Sequence, residues 1–142
     1  MRRLIPLVTL AVALACGSES TTSPAPAPLA GTWSLQSVND SVLPFTIKQT
    51  ATLKVELLSD VLKATSNGTY SEIFQLRTTN AGQAGSTVSN SNAGTFTLSG
   101  TSVALSSLCV SSLCQVENVS GTLSGDTLTL TEPGYVWLFT EQ

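Results

Sequence analysis

The sequence predicts an all-β domain: an antiparallel up-and-down meander of about eight short strands closed as a barrel, with a β-sandwich as the alternative. Three observations carry that expectation. From Gly31 onward, apolar residues alternate with hydroxyl and amide residues at the period-two spacing of half-buried strands. Turn-forming pairs, among them Asn67-Gly68, Ser99-Gly100, Ser124-Gly125 and Pro133-Gly134, interrupt the alternation at short intervals. No segment after the leader has a convincing helical period. Connection by tight hairpins favours a barrel over a sandwich.

The chain begins with an address. Arg2 and Arg3 precede an apolar run from Leu4 to Ala15, which has the length of a secretory signal core and is too short for a spanning helix. Val12-Ala13-Leu14-Ala15-Cys16 resembles the lipobox of bacterial lipoproteins. That resemblance implies cleavage before Cys16, diacylglycerol on its thiol and acylation of the new amino terminus. It makes residues 1–15 a signal peptide and the membrane a partner through the acyl chains of Cys16. Gly17 in place of aspartate implies the outer membrane. An ordinary secreted protein cut near Ala15 is the alternative. Residues 16–29 then form the lipidated cysteine and its tether: serines and threonines followed by Pro24-Ala25-Pro26-Ala27-Pro28, too poor in apolar content to pack.

The domain, residues 30–142, opens on Gly31-Thr32-Trp33-Ser34-Leu35-Gln36-Ser37-Val38, with Trp33 and Leu35 on one face. Asn39-Asp40 ends that strand. Thr50 to Leu58 places Leu53, Val55 and Leu57 inward and Thr52, Lys54 and Glu56 outward, and Ser59-Asp60 marks a turn or bulge before Val61 to Thr65. Asn67-Gly68 predicts a type I′ hairpin into the strand from Thr69, where Tyr70, Phe74 and Leu76 share a face with Glu72 as the exception. Asn80 to Ser86 is a glycine-containing loop. Glycine, threonine and a large apolar residue recur at Gly31, Gly68, Gly94 and Gly121. The last two copies precede similar hairpins, in which Val103 corresponds to Leu128 and Leu105 to Leu130. Tyr135 to Thr140 is the closing strand.

Gly31-Thr32-Trp33 is similar to the Gly-x-Trp of the first lipocalin strand, and the strand layout resembles the lipocalin-like domains of bacterial lipoproteins. The resemblance implies a barrel with a small apolar ligand as its candidate partner. Trp33, Tyr70, Phe74, Phe96, Trp137 and Phe139 are then the candidate ligand-binding residues. The same side chains could instead fill the core of a module that works through its surface.

Chemistry is sparsely provided for. The chain has no histidine, so the commonest general base and metal ligand are missing, and no serine or threonine has a visible partner base. The expected protein is not an enzyme, holds no cofactor and has no metal site. Six Lys and Arg against nine Asp and Glu give −3; loss of Arg2 and Arg3 leaves four against nine, or −5, a poor match for nucleic acid. Cys109 and Cys114 are the two thiols left once Cys16 carries lipid, and an exported location favours a disulfide between them. A redox-active pair is the alternative, without the Cys-x-x-Cys spacing that would support it. Cys16→Ala is expected to abolish fatty-acid labelling and membrane retention; persistent labelling would exclude lipidation at this residue.

Overall fold

The computed structural model describes residues 28–108 and 118–142. Ten strands run in chain order: β1 (Gly31–Val38), β2 (Ser41–Val42), β3 (Phe45–Gln49), β4 (Leu53–Ala64), β5 (Thr69–Asn80), β6 (Ser86–Ser99), β7 (Ser102–Ser107), β8 (Asn118–Ser124), β9 (Thr127–Glu132) and β10 (Tyr135–Glu141). From β4 to β10 each strand pairs antiparallel with its chain neighbours, and β10 returns to β1. Gly31 to Ser34 of β1 then pair with Ala64 to Val61 of β4, which closes the sheet. The result is an eight-stranded antiparallel barrel in meander order, with β2 and β3 as additions along β1 and β4. Closure leaves no free barrel edge along that pairing. It also decides between the barrel and the sandwich.

β1 and β4 part company after Ser34, and β3 takes the vacated place beside Lys54 to Leu57. Both strands that diverge carry a bulge, between Leu35 and Ser37 in β1 and between Leu57 and Ser59 in β4. A bulge adds an unpaired residue, bends its strand and shifts side-chain parity. In β4 the inward residues therefore change from odd to even numbers: Leu57 is buried before the bulge, and Asp60, Leu62 and Ala64 are buried after it.

The turns show where local sequence and tertiary context agree. Gly100 and Gly125 take positive φ at equivalent places in the β6–β7 and β8–β9 hairpins, and Val103, Leu105, Leu128 and Leu130 are all buried. The repeated hairpin is therefore repeated in space. The expected type I′ turn at Asn67-Gly68 is not formed. Only Gly68 has positive φ, at 83°, so Ser66 to Gly68 make a three-residue loop with glycine in its left-handed position. Paired positive φ values occur instead at Asn39 and Asp40, in the two-residue turn joining β1 to β2. Asn39 is fixed there by the neighbouring strand: its Nδ2 donates to the Gly134 carbonyl at 3.0 Å, and the Val136 amide donates to its Oδ1 at 2.8 Å. That second contact layer favours the asparagine in a conformation it tolerates better than most residues.

Leu29, Trp33, Leu35, Val103, Leu123, Leu128 and Phe139 pack the half of the barrel at which β1 begins and β10 ends. Leu29 is 1% exposed and its carbonyl accepts a 2.9 Å hydrogen bond from the Trp33 indole Nε1. The packed domain thus starts one residue earlier than Ala30, within the segment assigned to the tether. Two glycines of the Gly-Thr-apolar repeat serve this packing. A Cβ on Gly94 would lie 2.1 Å from the Ser106 carbonyl oxygen and 2.5 Å from Tyr70 Cε1; one on Gly121 would lie 2.2 Å from the Thr129 carbonyl oxygen. Strand backbones approach too closely there for any side chain.

Gly94→Ala and Gly121→Ala are each expected to destabilise the domain by about 2 kcal/mol or more, because the obstruction is backbone rather than a movable side chain. Urea unfolding checks this, through a lower midpoint at unchanged slope. Wild-type midpoints would contradict it.

Candidate functional site

The other half of the barrel is hollow. A cavity of about 400 Å³ lies inside the sheet, walled by apolar side chains that include Leu57, Leu62, Phe74, Leu76, Leu130 and Phe139. The lining residues of β7, β8 and β9 sit toward the end where β7 and β9 finish and β8 begins, while those of β4 and β5 reach to Leu62 and Tyr70, at the level of the closing ladder. The packed half supplies a floor. Of the six aromatic residues expected to face the interior, Tyr70, Phe74, Trp137 and Phe139 line the cavity. Trp33 and Phe96 do not: Trp33 is wholly buried in the floor and Phe96 packs against that core. Cys16, Cys109 and Cys114 fall outside the described residues.

Trp137 is set by its neighbours. Its ring lies 5.5 Å from that of Tyr135, which meets Phe45 edge-on at 6.1 Å and an angle of 86°. β3, the addition beside β4, supplies Phe45, so an aromatic row runs from β3 to Trp137 in the cavity wall. The Trp137 Nε1 is nonetheless buried without a hydrogen-bond partner. An unmet buried donor or acceptor costs about 1–3 kcal/mol, which makes the position unusual for a group with a purely structural task.

Three carboxylates also line the cavity: Asp60 from β4, Glu72 from β5 and Glu132 from β9. None was picked out as a site residue by sequence alone. Glu72 was visible as the exception on an otherwise apolar face. Asp60 was concealed by the bulge, because continuing the parity of Leu53, Val55 and Leu57 puts it outside. The adjacent apolar pair Leu57-Leu58 is the signal that could have revealed the switch.

Asp60 is 6% exposed, and its Oδ1 has no hydrogen-bond partner. Burial, followed by the charge of Glu72 and a hydrogen bond shared with it, pushes the Asp60 carboxyl up to about 8. The pair therefore retains a proton at neutral pH, since two adjacent carboxylates in an apolar wall do not readily both ionise. On the outer face the opposite holds. Glu56 receives Lys54 Nζ at 2.7 Å and Arg77 Nη2 at 2.8 Å, and these hydrogen bonds hold its carboxyl below the usual range. Two of the four basic residues after the leader are thus engaged outside the barrel.

Neither a protein-family model nor a curated protein matches the chain. Its fold and the contents of its interior are consequently the basis for a functional reading.

The two carboxyl environments give stability a predicted pH dependence. Asp60 has a raised pKa in the folded protein, so between its unfolded value of 3.8 and about 8 the folded state holds a proton that the unfolded state releases. Its contribution is complete below the unfolded value and is lost as pH rises through the folded one, by at most about 1.4 kcal/mol per pH unit. Glu56 acts oppositely, losing its contribution as pH falls through its lowered pKa. The urea midpoint should therefore fall between about pH 5 and pH 8, and Asp60→Asn should flatten that fall. An unchanged slope in the variant would remove Asp60 as its cause.

Proposed function

We propose that this protein is a lipid-anchored component of a bacterial cell envelope whose barrel binds a small apolar molecule. The observation that carries the reading is the open-ended cavity of about 400 Å³ walled by one continuous sheet. Its volume falls in the usual range for small-molecule sites, and such sites combine mostly apolar walls with a few placed polar groups. Tyr70, Phe74, Trp137 and Phe139 provide the wall, while Asp60 and Trp137 provide the unmet polar atoms. A domain of this size has little apolar material to spare. Leaving space inside while Leu29 and Trp33 pack the floor supports a binding role over a filled structural core.

The anchor rests on Arg2, Arg3, the apolar leader and the lipobox-like approach to Cys16. Several acyl chains hold a protein to a bilayer far more stably than one. Gly17 favours the outer membrane by the same resemblance, and residues between Cys16 and Leu29 can separate domain and bilayer by at most ~40 Å. No catalytic step is assigned.

Native mass spectrometry of gently purified protein tests the binding role. The expected spectrum contains a stoichiometric adduct of a few hundred daltons that disappears on denaturation. A bare mass under conditions that retain known noncovalent complexes would favour the competing envelope module that acts through its surface.

A further inference from the structure

We propose that the cavity selects an organic cation: an apolar body carrying a protonated amine, with the ammonium docked against Asp60 and Glu72. The inference rests on the cavity being a ligand site and names the class of ligand. Its basis is the one-sided electrostatics of the interior. Asp60, Glu72 and Glu132 line the cavity, whereas Lys48, Lys54, Lys63 and Arg77, the four basic residues after the leader, do not. An anionic amphiphile such as a fatty acid would place its carboxylate among three others with no cation to receive it. A neutral alcohol could bond to Asp60 Oδ1 but would bring no positive charge to the pair.

The unmet atom has the right chemistry for an ammonium. Asp60 Oδ1 is an acceptor, buried and without a partner, in the wall of a space large enough for a ligand. An amine supplies N–H donors and positive charge together, and charge-assisted hydrogen bonds are the stronger kind. A metal ion suits the site less well, since no three Asp, Glu, Cys or His side chains among the described residues converge as a metal-holding group. The buried indole N–H of Trp137 gives a second point of recognition, for a hydroxyl or carbonyl oxygen elsewhere on the ligand.

Proton balance follows from the carboxyl pair. At neutral pH Asp60 and Glu72 share a proton, and docking of a cation favours its loss to solvent; one positive charge enters as one leaves. The other ionisable groups among the described residues that line the cavity are Tyr70 on β5 and Glu132 on β9. β3, β6, β7, β8 and β10 present no ionisable side chain to the cavity. Aliphatic amines remain protonated to about pH 10, as lysine does. Affinity for the cation should therefore rise with pH up to about 8, by at most tenfold per pH unit for one released proton.

The test is calorimetric titration of the full-length protein with phenylbutylamine, phenylbutanol and phenylbutyrate, with matched detergent titrations as blanks. The three probes share a skeleton and differ in the charge of the head. The expected order at pH 8 is amine tightest, by about tenfold or more over the alcohol, with the carboxylate weakest. Amine affinity should rise between pH 6 and pH 8 while alcohol affinity stays within about twofold. Asp60→Asn should lower amine affinity to that of the alcohol and leave the alcohol unchanged; Glu72→Gln is the second variant, with circular dichroism verifying the fold of each. The wild-type series decides the question even if neither variant folds. Equal binding of amine and alcohol, or tightest binding of the carboxylate, would overturn the cation assignment and leave the ligand site standing. Absence of binding by all three would overturn both.

Discussion

The structure depends on the pairing of Gly31 to Ser34 with Val61 to Ala64, because this short ladder turns a meander into a closed barrel. It joins the first strand to a partner that lies nearly thirty residues further on, whereas the remaining barrel ladders, apart from β1 with β10, join chain neighbours. β1 must also remain paired with β10 along its length and turn into β2 at Asn39. A straight β1 and β4 could not meet these demands together, and each strand bends at a bulge where the two separate. The bulge in β4 has a chemical consequence. By shifting parity at Leu58 it brings Asp60 into the barrel, opposite the strand that contributes Glu72. The β4 bulge thus serves both the divergence of β1 from β4 and the placement of Asp60 inside.

The meander was legible because it is written locally. Hairpins joined by Gly100 and Gly125 need only a glycine of suitable φ and flanking residues of matching parity, and Val103, Leu105, Leu128 and Leu130 supply that parity within a few positions. The turn type at Asn67 was less legible, since the Thr65 side chain, Asn67 Oδ1 and the Thr69 amide form a local network that suits a longer loop. Glu56 was read correctly as outward, yet it is only 7% exposed because Lys54 and Arg77 cover it. Cross-strand register is what places Arg77 opposite Glu56, and no local pattern contains that register.

The candidate site was legible in part for a related reason. Aromatic residues announce an interior but not how much of it is filled. Trp33 and Phe96 belong to the packed floor, and Phe74 and Trp137 to the cavity wall, although all four were chosen by one criterion. Trp33 is held in the floor by Leu29, a residue that looks like the end of a tether until its carbonyl is seen to accept a hydrogen bond from the Trp33 indole. Asp60 required knowledge of a parity shift, and its relation to Glu72 required the register of β4 on β5.

A buried carboxyl pair in a small domain is a standing electrostatic burden, and a fold selected only for stability would have apolar side chains at Asp60 and Glu72. The same domain protects its floor with close backbone packing at Gly94 and Gly121 and surrounds Glu56 with cations on the outside. The chain thus pairs Glu56 with two cations outside, and has no lysine or arginine among the described residues that line the cavity. A bound cation would supply a partner for Asp60 Oδ1 and stabilise the folded state by mass action, in proportion to the logarithm of its concentration over its dissociation constant. Leu62 lines the cavity and pairs with Trp33 in the closing ladder, and Glu72 pairs with Leu62, so a ligand at the carboxyl pair would rest directly against the ladder that closes the barrel. The cavity wall takes residues from both sides of the bulge at Leu58, with Leu57 before it and Asp60 and Leu62 after it, so binding and closure share β4.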